Sequence, residues 1–153
     1  MSDERLILEK FLPYRLSVLS NRLSAVIAES YSRRFGLSIP EWRVIAVLAL
    51  EPGISAAEVA ERTAMDKVAV SRAVRRLLAT GRARRETAAG DRRRSVLELT
   101  QEGRKIYRRI TPALRRYEAE LLAGLSTREQ KLLDAMLRRL EKHAPAIAPP
   151  LID

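Results

Sequence analysis

No cysteine occurs in the 153 residues. Disulfides, thiolate zinc sites, cysteine nucleophiles and cysteine-based redox sensing are thereby excluded. Histidine is almost as scarce. The single one, His143, falls near the end of the last helical stretch, where it reads as a surface residue. No cluster of carboxylates stands at metal-ligand spacing, and Glu118-x-Glu120 reads as a solvated helix face. The expectation is a protein that is not an enzyme, has no metal site and needs no cofactor. No unbroken apolar run is long enough to cross a membrane, and the first residues lack the charged, apolar and small-residue regions of a secretory signal. That pattern predicts a cytoplasmic protein. Only 6 glycines and 7 prolines argue against a loop-rich or disordered chain, and aromatic residues make up 5% with one tryptophan. What is abundant is Leu, Ala, Arg and Glu, which favours helix. The hydrophobic share of 46% is enough to bury a core. The length suits one domain, or one with an appendage.

Charge is unevenly spread. The net charge is +10 and the isoelectric point about 10.8. Between Asp66 and Arg104 eleven basic side chains face five acidic ones, a net +6 in 39 residues, while the other 114 residues carry +4. A concentrated excess of this kind points to a polyanionic partner, most often nucleic acid, over a general solubilising charge.

Helical signals recur along the chain. The first helix begins near Pro13, a residue suited to a first turn, and stops at Arg34-Phe35 before Gly36. Leu12, Leu16, Leu19, Leu23 and Val26 recur at intervals of four and three, a single long apolar stripe that Ile27 and Tyr31 widen. Three further starts share a Ser-x-x-Glu capping box: Ser38/Glu41, Ser55/Glu58 and Ser126/Glu129. They predict helices over about 39–50, 56–62 and from about 127. In the second helix Trp42, Ile45, Ala46 and Ala49 share a face, with Leu48 and Leu50 adding apolar surface. Asp66 caps a fourth helix that runs to about Thr80 and stops at Gly81. Thr100 starts a long helix with Ile106, Ile110, Leu114, Tyr117, Leu121 and Leu125 at helical spacing, which Pro112 is expected to kink. The last helix carries Leu132, Leu133, Met136, Leu137 and Leu140, and the proline-rich tail after it reads as extended.

Between Gly81 and Thr100 the period changes. "ARRET" and "RSVLEL" flank a turn around Ala-Gly-Asp, and the second segment sets Leu97 and Leu99 against Val96 and Glu98. The third and fourth helices have the length and connection of a helix-turn-helix. On the fourth, Val70, Ala73, Val74 and Leu77 fall on one side and should pack inward. Val68, Arg72, Arg75, Arg76 and Ala79 fall on the other, with Ala69 and Ser71 at the margins. The outward set suits a major groove. Arginine pairs bidentately with guanine, Val68 and Ala69 meet thymine methyls, and Lys67 and Ser71 reach phosphate. A hairpin directly after a helix-turn-helix makes a winged helix, with its tip at about 88–94. Arg93 is the expected minor-groove contact, Arg92 and Arg94 the phosphate contacts, and Asp91 an internal group that shapes the turn and holds an arginine.

Asp91-x-Arg93, five residues, Leu99-Thr100, two residues and Gly103 resemble the D-x-R-x5-L-T-x2-G signature of the MarR family of bacterial transcription regulators. The stretches "WRVIAVLAL" and "SAAEVAERTAMDKVAVSRAVRRLLATG" fit the same family, and the likeness covers roughly residues 10 to 143. It departs at Arg82-Ala83, where the family usually has an apolar pair, so packing at the wing base is expected to be weaker. The resemblance implies a mainly α fold with a small β-hairpin wing, in the order α-α-α-α-β-β-α-α. A helical dimerisation lobe would be made of residues 1–36 and 101–153, and a winged helix-turn-helix of residues 37–100. It further implies a homodimer on a pseudo-palindromic operator in double-stranded DNA, usually repressing, and released by a small aromatic effector. The surplus apolar surface of the first and last two helices favours a dimer independently, with Leu132, Leu133, Met136 and Leu140 suited to an isologous interface.

For the effector, Ser17, Ser20, Asn21 and Ser24 lie beside the apolar stripe, within reach of a cavity near Trp42, and Arg15 is placed to meet a carboxylate. The serines suit close helix packing equally well. The start "FLPYRLSVLSNRLS" is similar to family regulators of aromatic-acid catabolism, some of which sense CoA thioesters. Two rival classes remain: a sequence-nonspecific architectural DNA binder, and a winged helix that binds protein only.

Overall fold

The computed structural model describes residues 5–150. The ends of the expected dimerisation lobe, residues 1–4 and 151–153, lie outside the described residues. Six α-helices and one hairpin follow in the expected order: α1 (Leu12–Phe35), α2 (Ile39–Leu50), α3 (Ala56–Thr63), α4 (Lys67–Ala79), β1 (Ala83–Ala88), β2 (Asp91–Leu99), α5 (Gln101–Leu122) and α6 (Thr127–His143). Single 3-10 turns stand before α1 and after α6. The chain divides into two compact units, Met1–Leu114 and Arg115–Asp153, with the division inside α5.

Local chemistry sets most of the boundaries. Gly36 ends α1 in the left-handed region at φ 62, a conformation that costs glycine nothing. Ser55 and Glu58 close a full capping box on α3, as Ser126 and Glu129 do on α6. The third box is only half made. Ser38 accepts the Glu41 N–H, but the Glu41 carboxylate turns into the protein instead of back to Ser38. Helix α5 runs through Pro112, which stands inside it.

The core lies in the first unit. Tyr31, Val44, Ile45, Leu48, Val59, Val70, Val74, Leu77, Leu97, Leu99, Ile106 and Ile110 join in one buried cluster. Each large side chain removed from water contributes about 1.5–3 kcal/mol. On α2 the buried face is Val44, Ile45 and Leu48, while Leu50 stands exposed at the helix end. The stripe on α1 divides. Tyr31 is buried in the core, whereas Leu12, Leu16, Leu19 and Val26 are 42–53% exposed.

The hairpin pairs in regular register from Ala83↔Leu99 to Thr87↔Ser95. It is more embedded than its alternation implies, because Val96 is buried along with Leu97 and Leu99. A third segment joins it, with Gly53 N–H donating to Leu97 O and Leu97 N–H to Ile54 O.

The base of the wing is tied rather than loose. Ala83 is buried, and Arg82 Nη2 donates to Phe35 O at 2.6 Å, putting a cation on the carbonyl end of α1. Arg82 O accepts the Thr100 N–H, and Thr100 Oγ1 donates to Gly81 O and accepts the Gly103 N–H. Gly103 packs against this joint. A Cβ there would lie under 3.0 Å from Arg82 O. The last residue of the D-x-R-x5-L-T-x2-G motif is a glycine because a backbone carbonyl occupies the space of a side chain.

Candidate nucleic-acid interface

Helix α4 is started by Asp66, whose Oδ1 accepts the N–H groups of Val68 and Ala69 at 2.8 and 3.1 Å. A carboxylate at that end suits the helix dipole. The turn before it passes through Ala64 at φ 50, and Thr63 Oγ1 bonds back to Val59 O. Val70, Ala73, Val74 and Leu77 are buried, which fixes the rotation of the helix about its axis. Lys67, Val68, Ser71, Arg72, Arg75 and Arg76 are consequently exposed, with Ala69 half-buried. The helix thus presents the expected set on one outward face.

The wing has an unexpected register. After Thr87↔Ser95 the next pair is Ala88↔Asp91, so Arg92, Arg93 and Arg94 bulge from β2 without paired residues on β1. Bulges bend a strand and re-aim its side chains. Gly90, at φ 84, closes the turn, and Asp91 Oδ1 accepts the Arg93 N–H at 2.9 Å. Asp91 thus bonds the backbone of Arg93 within the turn.

The basic side chains sort into two groups. Lys67, Arg72, Arg75, Arg92 and Arg93 form no ion pair with another described residue and stand exposed. Arg76 and Arg94 are engaged within the protein. Arg76 Nε lies 3.2 Å from Glu41 Oε1, and Glu41 is almost fully buried. Arg94 Nη2 lies 2.5 Å from Glu58 Oε2. The Ser55 backbone N–H, then Arg94, then the Ser55 hydroxyl hold the Glu58 carboxyl down at about 2. Glu58 therefore caps α3 and tethers the wing with one side chain. On β1, Arg84 is paired with Glu98 and Glu86.

In the sequence Glu41 and Glu58 read as helix caps only. Their second partners lie 35 and 36 residues along the chain, and no local signal marks such a pairing.

The residues considered for a small-molecule site are spread over two places. Arg15 lines a groove of about 400 Å³ on α1 with Leu12, Tyr14, Leu16, Val18, Leu19 and Arg22. Ser20 and Asn21 are exposed on the same helix. Trp42 instead stacks on Tyr107, centroids 5.9 Å apart, and meets Tyr31 at 5.7 Å. Ser24 accepts a hydrogen bond from Arg43 Nη2 at 3.2 Å, joining α1 to α2. Burial pushes the Tyr31 hydroxyl up, with Arg43 acting the other way.

The chain is similar to known proteins. Residues 35–94 match the model of the MarR family. The chain is 29% identical over 131 residues to the HTH-type transcriptional repressor Rv2887 of Mycobacterium tuberculosis, covering 85% of this chain and 91% of that one. It is 32% identical over 104 residues to the transcriptional regulator HosA of Escherichia coli O157:H7, covering 68% and 77%. Among solved structures, the PcaV transcriptional regulator of Streptomyces coelicolor, in complex with its natural ligand, superposes with a TM-score of 0.70 at 27% identity, covering 92% and 98%.

Proposed function

The chain belongs to the MarR family of DNA-binding transcriptional regulators and is not an enzyme; on that premise we propose that it is a ligand-responsive repressor that binds a pseudo-palindromic operator in the cytoplasm as a homodimer. The single observation that carries the reading is the division of its cations. Five exposed Lys/Arg side chains on α4 and in the wing bulge have no acidic partner among the described residues, on the two elements that a winged helix sets against DNA. An unpaired cation on a rigid scaffold is ready for a phosphate or a guanine edge. In this reading Lys67 and Ser71 hold phosphate, and Val68, Ala69, Arg72 and Arg75 read base edges. Arg76 acts from the far end of the helix. Arg93 enters the minor groove beside Arg92, while Asp91 shapes the turn and Arg94 anchors the wing.

The two-lobe division is part of the proposal: residues 37–100 bind DNA, and residues 1–36 with 101–153 dimerise. Its support is the unused apolar surface of α1 and α6. Leu132, Met136, Leu137 and Leu140 recur at helical spacing on α6 and are all exposed, as are Leu12, Leu16 and Leu19 on α1. A second copy is the occupant that a family of regulators on two-fold operators favours.

Release by a small aromatic effector, an aromatic acid or its CoA thioester, is supported by two features. Arg15 stands at an apolar groove on α1, where it can meet a carboxylate, and at a separate place Trp42 packs with Tyr31 and Tyr107 in an aromatic cluster. Ser20 and Asn21 would supply polar contacts from α1.

Selection of duplexes from a random pool tests the function. A regulator prefers its selected site over bulk DNA by roughly 10³-fold or more. An architectural protein shows no such preference, and a protein-binding winged helix selects no duplex at all. Sedimentation should give a particle of twice 17.3 kDa. Thermal shifts with aromatic acids and their CoA thioesters test the effector.

A further inference from the structure

One buried charge has no role in the function described so far. Glu41 is 4% exposed, and its Oε2 is buried without a hydrogen-bond partner. Among the described residues the only cation paired with it is Arg76, whose Nε lies 3.2 Å from Glu41 Oε1 while its own side chain remains 65% exposed. A buried carboxylate is costly to leave unpaired. Arg76 is therefore not free to swing toward a distant phosphate, because doing so would strand the Glu41 charge. Its terminal nitrogens can still be used in place. Arg76 lies one turn beyond Arg72 on the outward face of α4, so the two guanidinium groups share a stripe.

We propose that Glu41 is a positioning residue for DNA recognition: from α2 its carboxylate pairs with Arg76 at Nε, restrains that side chain and leaves its terminal nitrogens to DNA at the C-terminal end of the recognition helix. The proposal rests on the reading of α4 as the DNA-contacting helix. Its physical basis is pre-ordering. A free arginine loses its rotamer freedom when it docks, and a tethered one has lost it already.

The test is a double-mutant cycle on DNA affinity, with a selected duplex and with thermal stability measured alongside. Glu41→Gln keeps the shape and removes the charge. It should lower affinity about tenfold, the lower end of what a charge-assisted contact contributes, without lowering the melting temperature, since a poorly satisfied buried charge has gone. The substitution should have no further effect in an Arg76→Ala background. Unchanged or tighter binding by Glu41→Gln overturns the proposal, because the carboxylate then only subtracts charge from the DNA face. An equal loss in the Arg76→Ala background overturns it as well, since Glu41 would be acting elsewhere. If Glu41→Gln does not fold, Arg76→Lys carries the test. Lysine keeps the charge but has one nitrogen, which cannot both pair with Glu41 and reach DNA as Nε and the terminal nitrogens of arginine can, so the same loss is expected, and unaltered affinity sinks the idea. Arg72→Ala separates the two levels. If it leaves binding intact, α4 is not the reader. If it weakens binding while Glu41→Gln does not, only the positioning role fails.

Discussion

Replacing Gly103 by alanine should unfold the joint between the wing and α5. The added Cβ would lie under 3.0 Å from Arg82 O, 3.1 Å from the Arg82 carbonyl carbon and 3.2 Å from Leu99 Cδ2. Arg82 cannot easily retreat. Its carbonyl accepts the Thr100 N–H, its own N–H donates to Leu77 O, and its guanidinium is bonded to Phe35 O. Overpacking a tight site costs about 1–3 kcal/mol, and each hydrogen bond lost at the joint adds about 1 kcal/mol. Alanine in a helix returns about 1 kcal/mol over glycine. With two bonds lost, the net is a loss of about 2–4 kcal/mol. For a chain of this size that corresponds to a fall in melting temperature of very roughly 4–16 °C. Thermal unfolding followed by far-UV circular dichroism measures it. Gly124→Ala is the control, because a Cβ there meets nothing nearer than Leu121 O at 3.8 Å. If Gly103→Ala melts with the parent while folding normally, the close approach is not what requires glycine.

Three other perturbations have worked directions. Arg82→Ala removes a charged donor from Phe35 O and should cost about 1.5–3 kcal/mol in urea unfolding; no loss would mean that the strut is idle. Asp66→Ala removes the oxygen that holds the Val68 and Ala69 N–H groups, costing about 1 kcal/mol of stability and weakening DNA binding as the first turn of α4 frays. The Glu58 carboxyl lies at about 2 in the fold against an ordinary value of 4.5, so the folded state favours its charged form. That contribution is fully present above about pH 4.5 and is lost as the pH falls toward 2. The stability difference between the parent and Glu58→Gln should shrink over that window, and a difference that stays constant with pH would contradict the Ser55–Arg94 tether.

Elements whose cause is local were legible before the fold was known. Gly36 and Gly81 as helix stops, Ser55, Asp66 and Ser126 as caps, and the inward set Val70, Ala73, Val74 and Leu77 all follow from neighbours within one or two turns. Interactions across long sequence separations were not. Ser38 and Glu41 have the letters of a capping box, yet the carboxylate pairs with Arg76 on another helix. Arg82 breaks the apolar pattern of its family and looked like a weak point, but its carbonyl partner lies 47 residues upstream. Val96 alternates onto the face expected to meet solvent and is nevertheless buried, in a strand that Gly53 and Ile54 join from outside the hairpin. In the proposed DNA face the residue types were readable and the pairing was not. Three arginines of α4 and three of the wing were all assigned to DNA from the sequence, and two of them, Arg76 and Arg94, already hold carboxylates.

The most direct test of the DNA-binding face is the salt dependence of affinity for a selected duplex. Each phosphate neutralised contributes a slope of about −0.9 to log K against log salt, so the five unpaired cations set a value of about −4.5 per protomer. Arg93→Ala should flatten the slope by about 1, and Arg94→Ala, whose charge is already spent on Glu58, should flatten it much less. A slope near zero, or equal changes for Arg93 and Arg94, would contradict the assignment of these residues to DNA.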